Sequence, residues 1–230
     1  MSENLQPVVP AEGWAVVHLF CRVRPGSDSQ AVCTAVKRAE AGAHQVVPLA
    51  VLGHKADLGF MAIGPDLWQL RALQRDLQGA GLDIVDSYVS LTEVSEYAKG
   101  VPEKARQARL YPTLPPEGMR AFCFYPMSKR RNVGQNWYTL PYEERLDLMY
   151  DHGRSGRNFA GRVLQLITGS TGLDDYEWGV SLFGVHPDDL KECVHAMRFD
   201  VGSALYADFG PFVTGLVAPL DEVLDQVGLG

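Results

Sequence analysis

An α+β fold of two ferredoxin-like βαββαβ repeats is the architecture this sequence predicts. Three observations predict it. Residues 14–91 alternate β-rich and helical patterns in the order strand, helix, strand, strand, helix, strand. Residues 120–216 repeat that order. In each half a glycine turn lies between the two central strands: Gly53-His54-Lys55 in the first, residues 169–172 in the second.

The elements follow in order. Residues 14–23 (WAVVHLFCRV) are rich in β-branched and aromatic side chains and read as a strand. Residues 27–43 read as a helix, opened by Ser27-Asp28-Ser29, with Val32, Ala35, Val36 and Ala39 on its apolar stripe. Residues 45–52 and 57–63 are the central strands. Residues 65–78 form a helix with Pro65 in its first turn and Gly79 and Gly81 beyond its end. Residues 82–91 return as a strand. The charged, proline-containing stretch 97–116 is the connection between halves. In the second half, residues 120–127, 163–168, 178–185 and 204–216 read as strands. Residues 141–160 and 187–197 read as helices, with Glu143, Glu144, Asp188 and Asp189 in first turns, where the helix dipole favours acids. The halves divide into an N-terminal domain, 1–108, and a C-terminal domain, 109–230. One face of each sheet is covered by its own helices; pairing the other faces of the two halves is the simplest way to bury both.

Apolar content of 46% and charged content of 21% in 230 residues predict a packed core. The net charge of -7 argues against a nucleic-acid partner, which calls for a basic surface. The N-terminal residues lack a basic and then apolar leader, and no apolar run is long enough to span a bilayer. Cys21, Cys33, Cys123 and Cys193 are scattered, without zinc or disulfide spacing. A cytoplasmic protein without a membrane partner is expected, with Cys21 and Cys123 as buried thiols.

Five groups of residues carry candidate chemistry. His152 sits on the stripe Leu148, His152, Phe159, Val163, with Gly156 one turn later. An imidazole on an apolar face beside a residue without a side chain suits a flat haem with one axial nitrogen. The alternative is a core histidine, or a helix C-cap because Gly153 follows. Gln165 begins an apolar strand and is either a buried amide with a specific partner or a solvent-facing one. Tyr125 precedes Pro126, which holds it extended and should end strand pairing there. It is an ordinary core tyrosine unless a metal oxidant lies nearby. Lys129-Arg130-Arg131, with Arg109, Arg154 and Arg157, is either a solvated turn or a cluster answering several carboxylates. Trp137-Tyr138 packs on a flat ligand or fills core.

Tyr125, Lys129, His152 and Gln165 stand within a stretch, 122–183, whose motifs YPMSK, NWY, HG, TGS, GLDD and EWGV fall at spacings that resemble the coproheme decarboxylases, relatives of the chlorite dismutases. The resemblance covers residues 109–215 in detail, and the first half only in element order. It implies a dimeric α+β barrel type of fold with a haem slot in the C-terminal half. It implies Fe-coproporphyrin III (coproheme) as both substrate and redox cofactor, hydrogen peroxide as oxidant and haem b as product. His152 maps to the iron ligand and Tyr125 to the catalytic tyrosine. Lys129 maps to a catalytic residue at the propionates, and Gln165 to the residue on the far side of the iron. Arg109, Pro126, Met127, Ser128 and Ser203 map to porphyrin contacts. Tyr88 maps to a further propionate contact, and Ser90 stands where an asparagine is common. The implied reaction oxidatively decarboxylates propionates 2 and 4 to vinyls through a three-propionate intermediate, the last step of coproporphyrin-dependent haem synthesis. A homopentamer and a transient contact with the ferrochelatase that supplies coproheme are also implied.

Two other readings compete. A chlorite dismutase or haem peroxidase would keep the fold and His152 with bound haem b, but chlorite dismutases carry an arginine where Gln165 stands. A non-catalytic haem carrier would keep His152 without needing Tyr125 and Lys129 together.

Overall fold

Asp28 and Asp66 each turn a side-chain oxygen onto a free helix N–H, and the first two helices begin there. The computed structural model describes residues 6–98 and 100–230. The first repeat runs β1 (Ala15–Arg22), α1 (Ser29–Ala41), β2 (Gln45–Leu52), β3 (Leu58–Gly64), α2 (Leu67–Gly79) and β4 (Asp83–Thr92). The connection contains α3 (Glu103–Leu110), and the 108/109 boundary falls inside it. The second repeat opens with β5 (Ala121–Lys129). A small hairpin, β6 (Arg131–Asn132) and β7 (Gln135–Asn136), leads into a single 3₁₀ turn, Trp137–Thr139. Then come α4 (Tyr142–Arg157), β8 (Val163–Gly169), β9 (Trp178–Gly184), α5 (Pro187–Met197), α6 (Val201–Ala204), β10 (Ala207–Phe209), β11 (Val213–Val217) and α7 (Leu220–Gln226).

The strands close on themselves. Their order is β5-β11-β2-β3-β1-β4-β8-β9, and β9 pairs back onto β5. Closure pairs every strand of this ring on both sides, although β4 and β8 meet through only two residue pairs. The halves meet at two seams, β4 with β8 through Leu91↔Gly169 and Thr92↔Thr168, and β11 with β2 from Thr214↔Leu52 to Val217↔Leu49. This is the pairing of halves that the one-sided sheets called for. Strand alternation then separates three layers. Val16, Phe20, Val47, Met61, Phe122, Phe124, Leu166 and Phe183 fill the interior. α1 and α2 cover the outer face of the first half. Ala121, Cys123, Tyr125, Val180 and Leu182 face α5 through Leu190, Cys193 and Met197. Cys21 and Cys123 are both buried and unpaired, as expected.

Four sequence expectations are corrected. Residues 97–116 contain a helix, because the charged run KARQAR has good helix formers behind Pro102. β5 continues through Pro126 to Lys129, still paired with β9. The last strand, expected over 204–216, is broken into β10 and β11 at residues 210–212. Pro126 faces this break and Pro211 lies in it; neither has an N–H to give, so the strand bulges there. Gly210 fills the bulge, its N–H donating to the Pro126 carbonyl at 2.8 Å, and a Cβ there would lie 2.6 Å from Pro126 Cγ. Finally, Val163 belongs to β8, so the helical stripe drawn from Leu148 through Val163 ends with α4 at Arg157.

Candidate functional site

α4 is 16 residues long and carries no fully buried residue, although Leu146, Leu148 and Met149 are on it. It packs on α5 and α6. On the facing side, Ile167 of β8 is 41% exposed. The helix therefore leaves part of the sheet face uncovered, and apolar side chains border the slot beside it. Gln165 crosses that slot, its amide donating to the Gly156 carbonyl at 3.2 Å. A Cβ at Gly156 would come within 3.0 Å of Met197 Cε and 3.3 Å of the Gln165 amide nitrogen. Gly156 is thus what lets helix, strand and Met197 approach. The amide has a specific partner, and a flat ligand entering between α4 and β8 must take its place.

His152 lies in the body of α4, so the C-cap alternative does not hold. Its Nδ1–H donates to Asp200 Oδ2 at 3.1 Å. Ser203 Oγ donates to the same oxygen at 3.1 Å and lies 3.3 Å from Nδ1. Asp200 is also the N-cap of α6, receiving the Ser203 N–H at 2.9 Å. Burial works to raise the Asp200 carboxyl, but the His152 and Ser203 contacts outweigh it and hold it below the usual carboxylate range. The anchored Nδ1 orients the ring and leaves Nε2 available to a ligand, an arrangement that metal-binding histidines use. Among the described residues, no group of three or more His, Cys, Asp or Glu could hold a bare ion. One imidazole beside exposed apolar side chains fits iron carried in a porphyrin.

The alternation of β5 places Tyr125, Met127 and Lys129 on its outer face. Tyr125 is buried, stacked on Phe212 at 4.5 Å between ring centres and tilted against Phe209 at 5.6 Å. Burial pushes its phenol well above the ordinary tyrosine range; Cys123 and Cys193 add to this and Arg198 opposes it. Met197 joins Tyr125 in one apolar cluster and also reaches Gly156, linking the tyrosine to α4. Lys129 is only 8% exposed. Its ammonium donates to the Gly202 carbonyl at 3.1 Å and lies 4.1 Å from the centre of the Trp137 ring. Burial lowers its pKa to about 8, against the pull of Asp200 and Glu177. Trp137 is therefore core and lysine platform at once.

Other expected residues lie elsewhere. Pro126 and Ser128 fall on the opposite face of β5, and Ser128 Oγ accepts the Glu177 N–H at 3.2 Å. Arg109 ends α3, exposed, with no bond to this cluster among the described residues. Tyr88 and Ser90 point into the barrel interior, bonded to Ser170 and Thr168. Arg130 pairs with Asp208, Arg154 with Asp151, and Arg157 lies over Tyr150. Ser203 sits at the site, on the His152 anchor. Sequence reasoning missed Asp200, Glu177 and Arg198. Asp200 has a signal in Asp-Val-Gly-Ser, an N-cap pattern, hidden because the helix it opens has one turn.

A fold with a histidine-bearing slot in its second half invites comparison with known families. The chlorite dismutase family profile matches residues 27–218. The chain belongs to the chlorite dismutase family. Among members of that family named coproheme decarboxylase, the Staphylococcus carnosus protein is 45% identical over 187 residues, 76% of this chain and 73% of its own. The Staphylococcus saprophyticus protein is 37% identical over 95% of this chain and 97% of its own. A protein of Natronomonas pharaonis is 38% identical over 91% of this chain, which spans only 40% of that protein's length. A solved haem-binding protein from Thermus thermophilus superposes with a TM-score of 0.84 at 33% identity, covering 99% of this chain and 100% of its own. The chlorite dismutase of Candidatus Nitrospira defluvii shares the fold, at a TM-score of 0.75 and 19% identity.

Proposed function

We infer that this chain is a peroxide-dependent coproheme decarboxylase, converting two propionates of Fe-coproporphyrin III to vinyls and releasing haem b. The observation that carries the reading is the pairing of two features in one half: an imidazole on α4 anchored at Nδ1 by Asp200, and a phenol and ammonium sharing one face of β5. The decarboxylase names of the two staphylococcal relatives support it.

His152 Nε2 would hold the iron, with Asp200 fixing the ring. The iron porphyrin, once bound, supplies the oxidising power that peroxide brings. Tyr125 keeps its proton at neutral pH because burial raises its pKa. It gives up that proton and an electron together, then takes a hydrogen atom from the propionate β-carbon. The second electron goes, like the first, to reduce peroxide to water as the carboxylate departs as CO2. Each round consumes one propionate, one peroxide and one proton, and yields one vinyl, one CO2 and two waters. Lys129 holds a propionate carboxylate in register with the phenol. Met127, on the same face, borders the porphyrin. Gln165 leaves Gly156 and faces the porphyrin as a neutral donor.

Among the described residues no helix is long and apolar enough to cross a membrane. A cytoplasmic homopentamer that receives coproheme from ferrochelatase completes the proposal, and light scattering tests the subunit count. The deciding experiment is stepwise peroxide addition to the coproheme complex with mass spectrometry of the porphyrin. Two successive losses of CO2 plus two hydrogens are expected. Bleaching with no such loss overturns the assignment.

A further inference from the structure

The connection between the two repeats does more than join them. Tyr97 lies edge-on to Trp137, 6.2 Å between ring centres at 80°, and stacks on Tyr142 at 5.8 Å. Arg145 of α4 donates to the Tyr97 hydroxyl at 2.9 Å, and Tyr142 donates to the Glu96 carbonyl at 3.3 Å. Four residues back, Glu93 accepts the Trp178 indole N–H at 3.0 Å. A strand-to-linker segment of the first half is therefore tied at three points to the second.

Trp137 is the object of this clasp. The indole is 2% exposed although its 3₁₀ turn is on the surface. Tyr97 closes one side of it, Tyr206 packs edge-on at 5.5 Å, and the Lys129 ammonium rests over the ring. The Trp137 backbone N–H donates to the Arg130 carbonyl at 2.9 Å, fixing the tryptophan to the residue after the lysine. A long, flexible side chain held over an aromatic face keeps one direction only while that face stays put and dry.

The geometry points to Tyr97 as a positioning residue for Lys129, acting through Trp137, so that the linker of the first half sets the lysine's reach into the site of the second. This rests on the decarboxylase reading of Lys129. The other groups facing the ammonium are Asp200 from the α6 cap and Glu177 ahead of β9, with Tyr138 bonded to Glu177 and His152 bonded to Asp200. Arg130 and Arg131 follow in sequence; Arg130 is already paired with Asp208. Tyr97 makes no hydrogen bond to any of these among the described residues, and reaches Tyr138 only electrostatically.

The experiment has two arms. The first uses ligand-free protein with 13C-labelled lysines, the Lys129 signal assigned by its loss in Lys129→Met. The wild-type signal should titrate near 8. Tyr97→Ala admits water beside the ammonium and should raise the midpoint by about one pH unit, whereas Tyr97→Phe, which keeps the ring, should restore most of the wild-type value. An unmoved midpoint in Tyr97→Ala overturns the proposal. The second arm follows coproheme under limiting peroxide. Tyr97→Ala should prolong the three-propionate species by on the order of tenfold relative to the first round, as a misplaced orienting group does. The Tyr97→Ala/Lys129→Met double variant should match Lys129→Met alone. Equal slowing of both rounds, or an additive loss in the double variant, overturns it. If wild type itself converts no coproheme, the decarboxylase reading fails, while the titration still decides whether Tyr97 governs Lys129.

Discussion

The Asp200 carboxylate lies 3.1 Å from His152 Nδ1, with its own side chain 4% exposed. A carboxylate behind the ring makes the imidazole a stronger electron donor to whatever Nε2 binds. Asp200→Asn keeps an oxygen for the α6 cap but removes the charge. We expect the iron–histidine stretch of the ferrous coproheme complex to fall in frequency, with fold and loading retained. A resonance Raman band at the wild-type position would show that Asp200 serves only α6. His152→Ala should abolish the band.

Tyr125→Phe keeps the ring that stacks on Phe212 and loses the oxidisable hydroxyl. Coproheme should bind with nearly wild-type affinity, and both decarboxylations should slow by on the order of a thousandfold or more, as when a reacting group is removed outright. Haem b formation at a near-normal rate would rule out the radical role.

His18 makes a prediction about stability. It is 1% exposed inside the barrel, stacked 4.1 Å from the Phe124 ring centre, with Nε2 at 2.9 Å from Ser181 Oγ and Nδ1 without a partner among the described residues. Burial lowers its pKa from 6.5 to about 3. The folded ring stays neutral while the unfolded chain takes up a proton below 6.5. Stability is therefore intact above that pH and lost as the pH falls toward 3, by about 1.4 kcal/mol per unit at the steepest. Urea unfolding at pH 7 and pH 4.5 should show wild type losing about 2 kcal/mol more than His18→Gln, which cannot charge. Equal losses in the two proteins would mean that the buried ring is not the acid-sensitive group.

Gln165 offers a donor amide but no fixed positive charge. With haem b bound, the protein should release little O2 from chlorite and bleach instead, since no cation at that position retains the hypochlorite formed. Sustained O2 release measured at an oxygen electrode, together with no mass loss from coproheme under peroxide, would make the chlorite dismutase reading correct.

Much of the site was legible because strand alternation is local. Tyr125, Met127 and Lys129 share a face whatever surrounds them, and His152 with Gly156 is an i, i+4 pair on any helix. The same locality sets Pro126 and Ser128 on the other face, which the motif YPMSK, taken as a block of contacts, obscured. Arg130 and Arg154 read as a cationic cluster, but each is paired with an acid. For Arg130 sequence distance hides the partner: Asp208 lies 78 residues away.

By itself, the sequence determined the βαββαβ order of both halves, the Asp28 start of the first helix, and the identities of the imidazole, phenol and ammonium, whereas Pro65, expected in the first turn of the second helix, precedes its Asp66 cap. These depend on propensity, periodicity and side-chain chemistry within a few residues. Tertiary structure alone decided that the two sheets close into one barrel and that α4 meets β8 at Gly156 and Gln165 while leaving Ile167 exposed. It also decided that Asp200 anchors His152, 48 positions away, and that Tyr97 reaches Trp137 across the linker. Such contacts follow from which faces remain unburied once the local elements exist, a property of the whole packed chain.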